Sequence, residues 1–255
     1  MTERYDVIGD IHGCYGELVL LLEKLGYQIT EGDDPCKSPY RHPDGRIAVS
    51  VGDLCDRGPN SPGVIALWRQ MVREGTGLVV KGNHDNKLER YLKGNNVKVG
   101  HGLDLTIQQM HSKSSPIKKN KIYKFLVDLP YKLELDGGKL LVCHAGLAEK
   151  YHNASMNKKI ISKCIYGETT GATDENGFPV RLPWQDDYTG STVVVHGHVA
   201  INEVSHVNNV WDIDTSCVFG VSLTALRYPE MKLVSQAALT VYSPRNSKNP
   251  LQSGA

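Results

Sequence analysis

Three apolar runs early in the chain break off in the same manner. "YDVIG" (5–9) runs into "DIHG", "RIAVSV" (46–51) into "GDLCDRG", and "GLVV" (77–80) into "KGNHD". Each run has the length and β-branched content of a buried strand. Each gives way to residues that turn the backbone, move protons or bind cations but cannot pack a core. Two later runs behave alike, ending in "CHAG" (143–146) and "HGHV" (196–199). In an open α/β sheet the carboxyl ends of parallel strands line one edge, so such loops converge on one crevice. A helix N-cap would account for one aspartate, not for five loops of this kind.

The intervening segments read as helices. "CYGELVLLLEKLGY" carries apolar residues at 18, 19, 21, 22 and 25, with Gly26 to end it, and "SPGVIALWRQMVREG" (61–75) has Ser61 as cap and Pro62 in its first turn. "DNKLERYLKG" continues as a helix after the third strand, and "HSKSSPIKKNKIYKFLVDL" (111–129) holds a further helical segment. Strands follow: "YKLEL", "KLLVCH", "STVVVHG", "NVWDID", "VSLTALRY" and "MKLVSQ", the last two paired through a Pro-Glu turn. An alternating first half and a strand-rich second half predict an α/β (α+β) fold, with two mixed β-sheets packed as a sandwich and flanked by helices. A chain of 255 residues, 40% hydrophobic, can bury such a core as one domain over 1–242. The polar tail 243–255 is expected to be disordered.

A formal charge of +1 provides no global field for a polyanion or a membrane, so an anionic partner must be met locally. The cysteines at 14, 36, 55, 143, 164 and 217 form no CxxC pair, and "MTERYDVIGD" has neither the basic nor the apolar region of a secretory leader. With no apolar run of transmembrane length, free thiols in a reducing cytoplasm are expected.

The converging loops carry Asp10, His12, Asp53, Asp56, Arg57, Asn83, His84, Asp85, His144 and His198. Carboxylates, imidazoles and an amide oxygen make a nitrogen and oxygen donor set suited to Mn²⁺, Fe or Zn²⁺. Their number exceeds the needs of one ion.

In order, "GDIHG", "GDLCDRG", "GNHD", "CHAG" and "GHV" resemble the signature of the calcineurin-like metallophosphoesterases, in the phosphoprotein-phosphatase branch. Longer blocks, "VREGTGLVVKGNHDNKLERYLKGNNVKVGHGL", "YGETTGATDENGFPVRLPW" and "IDTSCVFGVSLTALRYPEMKLVS", are similar to the phosphatase domain of bacterial polynucleotide kinase-phosphatases and to stand-alone bis(5'-nucleosyl)tetraphosphatase-like relatives. The chain contains no GxxxxGK[ST] phosphate loop of a kinase.

The resemblance implies the calcineurin-like metallophosphoesterase fold and two divalent metal ions, Mn²⁺ first, with Fe, Zn, Ni or Mg as alternatives. It implies that Asp10, His12 and a bridging Asp53 hold one ion, and that Asp53, Asn83, His144 and His198 hold the other. His84 would be the general acid for the leaving oxygen, Asp56 the carboxylate that orients it, and Arg57 the fork that grips the phosphate. Asp214 of "IDTSC" matches an acidic position that supports the site.

Departures are small: Cys55 stands where valine is common, Val199 where threonine often follows the histidine, and His196 where tyrosine is familiar. His196 reads as a locally bonded strand-end histidine, and Cys14 and Cys143 as small buried hydrophobes. His101 either lines the substrate pocket or is structural. Lys113, Lys118, Lys119, Lys121, Lys124, Lys158, Lys159 and Lys163 form either a basic rim or a solvated face.

The expected activity is metal-dependent hydrolysis of phosphoric esters. Nucleotide or RNA-end 2'- or 3'-phosphates are the expected substrates, with phosphodiesterase activity alongside. Bis(5'-nucleosyl)tetraphosphates and phosphoserine or phosphothreonine in proteins are the alternatives. A non-catalytic metal-binding regulatory module is a different class, and it would ordinarily have lost a ligand, the acid or the arginine. The partner is thus a phosphorylated small molecule or a nucleic-acid end, without a membrane; the oligomeric state is not legible.

Overall fold

The computed structural model describes residues 3–29 and 40–245; Cys36 and the tail from 246 onward lie outside them. The elements run β1 (Tyr5–Ile8), α1 (Tyr15–Leu25), β2 (Gln28–Ile29), β3 (Tyr40–Arg41), β4 (Ile47–Ser50), α2 (Ser61–Arg73), β5 (Gly77–Val79) and α3 (Asn83–Leu92). Then come α4 (Leu103–His111), α5 (Lys119–Asp128), β6 (Lys132–Leu135), β7 (Leu140–Cys143), α6 (Lys158–Tyr166), β8 (Thr169–Thr173) and β9 (Pro179–Arg181). The last are β10 (Val193–His196), β11 (Ser205–Val207), β12 (Val210–Asp212), β13 (Ser222–Tyr228) and β14 (Lys232–Ala237).

Two five-stranded sheets result, ordered β14-β13-β1-β4-β5 and β11-β12-β10-β7-β6. In the first, β1, β4 and β5 are parallel and β13 is antiparallel to β1; in the second, β7, β10 and β12 are parallel. Both sheets are therefore mixed, and the expected sandwich is observed. Side chains alternate across each strand. On β1 and β4, Val7 and Val49 face Leu140, Val142 and Val195 of the second sheet, whereas Ile8 and Ala48 face the cluster that contains Leu18, Leu22, Val64 and Trp68 of α1 and α2. The outer face of the second sheet packs Leu141 and Val194 on Ile160 and Cys164 of α6. Each side chain buried in these layers removes an apolar surface worth about 1.5–3 kcal/mol from water.

Several local expectations shift. Asn60, not Ser61, caps α2, because its side chain accepts from the Gly63 N–H at 2.9 Å. The Ser61 hydroxyl accepts instead from the Asp56 N–H at 3.0 Å. Asn83 and His84 are not the end of a strand; they open α3, where the Asp85 carboxylate reaches back to accept from the Gly82 N–H at 3.0 Å. α4 and α6 and the β8–β9 hairpin are elements that the apolar pattern did not predict. At α1 the expected stop holds: Gly26 adopts φ 96°, and Tyr27 N–H returns to the Leu22 carbonyl at 2.9 Å. At the start of the segment read as a polar tail, Ser243 N–H donates to the Val218 carbonyl at 3.1 Å and Arg245 to Asn202 Oδ1 at 2.6 Å.

Candidate active site

The carboxyl ends of β1, β4 and β5 meet those of β7 and β10 at one end of the sandwich. The loops that leave them turn hard. His12, Asp53, Asp56, Arg57 and His198 all have positive φ, between 46° and 75°, a region that non-glycine residues enter at a cost. Two glycines let the backbone close on a carboxylate: a Cβ at Gly82 would lie 2.1 Å from Asp53 Oδ1, and one at Gly197 would lie 2.0 Å from Asp10 Oδ1. Any side chain at either position would displace the acid.

Asp53 sits at the centre. Its Oδ1 accepts from the His84 N–H at the start of α3 at 2.9 Å, and its Oδ2 lies 3.5 Å from both His12 Nε2 and His144 Nε2. On the His144 side, Asn83 Oδ1 is 2.8 Å from His144 Nε2 and 2.8 Å from His198 Nδ1. Asp10 accepts from the His198 N–H at 3.2 Å and lies 4.0 Å from His144 Nδ1. Two clusters can hold a cation: Asp10, Asp53 and His144, and His12, Asp53 and His84.

The tautomers support that use. His144 Nδ1 donates to the Val51 carbonyl at 3.0 Å, and His12 Nδ1 donates to the Cys55 carbonyl at 2.9 Å. Each neutral ring thus turns its lone pair inward from Nε2. At Asn83 the amide oxygen meets the His144 Nε2 lone pair at 2.8 Å, an acceptor facing an acceptor, which repel unless a positive charge lies between them. Near His12 an Arg57 guanidinium, 2.6 Å away, meets the lone pair. The donor set fits two divalent cations that share Asp53.

Electrostatics agree. Burial, reinforced by the charges of Asp214 and Asp53, holds Asp10 well above the usual carboxylate range, and burial pushes Asp53 up to about 8. Burial also depresses the imidazoles, His144 to about 4 and His12, His84 and His198 well below their ordinary value. Both acids and bases are therefore driven neutral, the condition that an added cation reverses for the carboxylates and that suits imidazole as a ligand.

His84 is tied differently. Its Nδ1 donates to Asp56 Oδ2 at 2.6 Å, while Thr106 Oγ1 donates to Asp56 Oδ1 at 2.7 Å. Asp56 is fully buried beneath the imidazole and pushed up to about 6 by that burial. Thr106, on α4, is a partner that sequence reasoning missed, and no pattern around it signals the contact. Asp85 does not reach the cleft: its two oxygens accept from the Leu54 and Gly82 N–H groups, each at 3.0 Å, and brace one loop against another.

The cleft above these residues has a volume of about 450 Å³ and is lined by His12, Asp53, Arg57, Asn83, His84 and His198, with Asp214, Phe178, Arg181 and Phe219. Arg57 lies 5.4 Å from the centre of the Phe219 ring, which keeps its fork over the site. His101 also lines the cleft. His196 bonds locally, Nδ1 to the Gly197 carbonyl at 3.0 Å. Past His84 and Arg57 the cleft opens into a groove of about 480 Å³ bordered by Lys87, Arg90, Lys98 and Tyr166. Lys87 and Arg90 are three apart on α3 and share a face. This cationic border was not predicted, and none of the eight lysines proposed for a rim lines the cleft or the groove. Among the described residues no helix is long and apolar enough to cross a membrane.

Relatives with this architecture are known. The calcineurin-like phosphoesterase family model matches residues 4–219. A bis(5'-nucleosyl)-tetraphosphatase PrpE [asymmetrical] of Anoxybacillus flavithermus is 42% identical over 241 residues, which cover 93% of this chain and 96% of that protein. Its counterpart in Halalkalibacterium halodurans is 41% identical over 235 residues, covering 91% and 93%. Among solved structures, that of a proposed diadenosine tetraphosphatase aligns with TM-score 0.66 and 22% identity over 93% of this chain and 95% of that one. A serine/threonine phosphatase from Saccharomyces cerevisiae aligns with TM-score 0.61 and 14% identity over 95% and 82%, a likeness of fold alone. With its family model matched over most of its length and its relatives aligned nearly end to end, the chain belongs to the calcineurin-like phosphoesterases, hydrolases of phosphoester bonds.

Proposed function

We propose that this protein hydrolyses bis(5'-nucleosyl)tetraphosphates asymmetrically, to a nucleoside monophosphate and a nucleoside triphosphate, with two divalent ions, Mn²⁺ foremost. The observation that carries this reading is the cationic groove that leaves the cleft on the side of His84. A phosphomonoester needs no such extension. A tetraphosphate cleaved next to one nucleoside leaves as a triphosphate, and Lys87, Arg90 and Lys98 offer it a path of positive charge. The names of the full-length relatives point the same way. The lysine-rich segments that favoured an RNA end lie off the cleft.

Asp10, His12 and Asp53 would hold one ion and Asp53, Asn83, His144 and His198 the other. Bound there, the ions would supply an activated water and positive charge at the phosphoryl oxygens. Arg57 binds the oxygens of the attacked phosphate and takes up the charge that grows on them. Burial favours the neutral ring of His84, but the Asp56 carboxylate at Nδ1 opposes that and favours the imidazolium; in that form His84 would give its Nε2 proton to the departing anhydride oxygen as the P–O bond breaks. Asp214, buried beside Asp10 at the cleft wall, supports that acid's place.

A side-by-side measurement of kcat/KM tests the reading. The metal-loaded protein would be given diadenosine tetraphosphate, a 3'-phosphorylated oligonucleotide and a phosphopeptide at one salt concentration. Diadenosine tetraphosphate is expected to lead, with AMP and ATP as products, and Lys98→Glu is expected to raise its KM severalfold. An oligonucleotide or phosphopeptide ahead by about a hundredfold, or about 2.7 kcal/mol of transition-state preference, would install the corresponding rival.

A further inference from the structure

Beside the cleft lies a separate cavity of about 280 Å³, bordered by Glu168, Arg181, Trp184, His196 and Asp212. Arg181 and Val199 border both spaces and connect them. We propose that this cavity receives the adenine base of the nucleotide whose phosphate is attacked. The proposal rests on the tetraphosphatase reading and names the subsite of its monophosphate half.

Two residues that border the cavity each carry a buried polar atom without a hydrogen-bond partner among the described residues. Glu168 is only 6% exposed; its Oε2 pairs with Lys163 Nζ at 2.8 Å, but Oε1 is buried without a hydrogen bond. Arg181 Nη1 donates to the Tyr166 carbonyl at 2.9 Å, yet its Nε is buried and unbonded. A buried acceptor and a buried donor left open cost stability, and a ligand that bonds both recovers it. Adenine presents an exocyclic amine beside a ring nitrogen, a donor next to an acceptor, which complements Glu168 Oε1 and Arg181 Nε.

The cavity also has an aromatic wall held in place. Trp184 packs on His196 at 6.2 Å with a 46° tilt and edge-on against Tyr188 at 6.2 Å. A Cβ at Gly146 would come within 2.5 Å of Trp184 Cζ2, so the indole fits against bare backbone. A fixed indole is a platform for a planar base, and such stacking contributes about 1–3 kcal/mol per base. The volume suits one ring system, below the usual range for drug-sized ligands. The polyphosphate then runs from this cavity past Arg181 to the metal centre and out along Lys87, Arg90 and Lys98.

The test is binding to the metal-loaded protein, read by tryptophan fluorescence and calorimetry with AMP, purine riboside 5'-monophosphate and UMP as probes. AMP should quench the fluorescence, and Trp184→Phe should abolish the quench although Trp68 and Trp211 remain. AMP should bind about tenfold more tightly than purine riboside monophosphate, which lacks the amine, since one hydrogen bond to a charged group supplies that factor. Glu168→Gln should shrink the ratio to about threefold or less; the wild-type ratio alone tests the idea if that variant fails to fold. Equal affinity of wild type for the two purines, or calorimetric binding of AMP without a Trp184 response, overturns the subsite. Efficient cleavage of diadenosine tetraphosphate with no Trp184 response would remove the subsite and leave the proposed function. The reverse result, a Trp184 response without tetraphosphate cleavage, would keep the subsite and remove the function.

Discussion

Replacing Asp56 with asparagine isolates what the buried carboxylate does for His84. The substitution keeps the shape and the Thr106 contact at 2.7 Å, but it takes the negative charge from beside the imidazole, where Asp56 Oδ2 lies 2.6 Å from Nδ1. An adjacent opposite charge shifts a pKa by about 1–3 units, and each unit is about 1.4 kcal/mol. The protonated imidazole therefore loses about 1.4–4 kcal/mol, and kcat on a substrate with a poor leaving group should fall by about 10- to 1000-fold. An activated p-nitrophenyl leaving group needs little protonation and should suffer far less. Because Asp56 acts through His84, Asp56→Asn combined with His84→Ala should be no slower than His84→Ala alone. Metal content by mass spectrometry should stay at the wild-type level in all three variants. Multiplicative losses in the double variant, or an equal loss on both leaving groups, would refute the dyad. Metal lost with His84 would make that histidine a ligand instead.

Asp53→Asn should remove activity and lower the content of both ions together, since Oδ2 faces His12 and His144 at equal distance; two retained ions with a near-wild-type rate would exclude bridging. Chelated protein should lose stability as pH rises from 6.5 to 8. Asp53, pushed up to about 8, binds a proton in the folded state that the unfolded chain has already released, so folding is penalised progressively until pH passes that value. The imidazoles, depressed by burial, act in the opposite direction only below their unfolded value near 6.5. Thermal melts across this window should show a falling Tm without metal and a flat one with it; a Tm that rises over the window in chelator would contradict the carboxylate assignment.

The sequence made the sandwich and the clustered donors legible because both depend on local pattern: apolar runs that break into polar loops. What it concealed depends on distance or on conformation. Asn60 and Ser61 are both good caps, and only the tertiary demand of the Asp56 N–H for the Ser61 hydroxyl decides between them. "LDLTIQQMH" hides α4 because its start is Gly102 in the left-handed region, without a capping side chain, and because its buried face includes Thr106. The β8–β9 hairpin escaped notice because it is exposed on nearly every residue and so shows no alternation of apolar and polar positions. Positive φ at His12, Asp53 and His198 cannot be read from residue type alone: aspartate and histidine enter this region more often than most side chains, but tertiary context decides which of them do. The cationic groove draws on α3 and the loop after it, and its charges are scattered too thinly to read as a basic run.

The order of strands in the first sheet has a consequence for synthesis. β1 lies between β4, which follows it closely, and β13, which pairs Ile8 with Ala225 from the far end of the chain. At about 5–20 residues per second, roughly 200 residues of translation leave one edge of β1 open for about 10–40 s. During that interval Tyr5 to Ile8, fully buried in the finished protein, presents unpaired backbone to any neighbouring nascent chain. Production of soluble protein should therefore depend on how crowded the ribosomes are and on the chaperones that shield such an edge, even where the completed fold is stable.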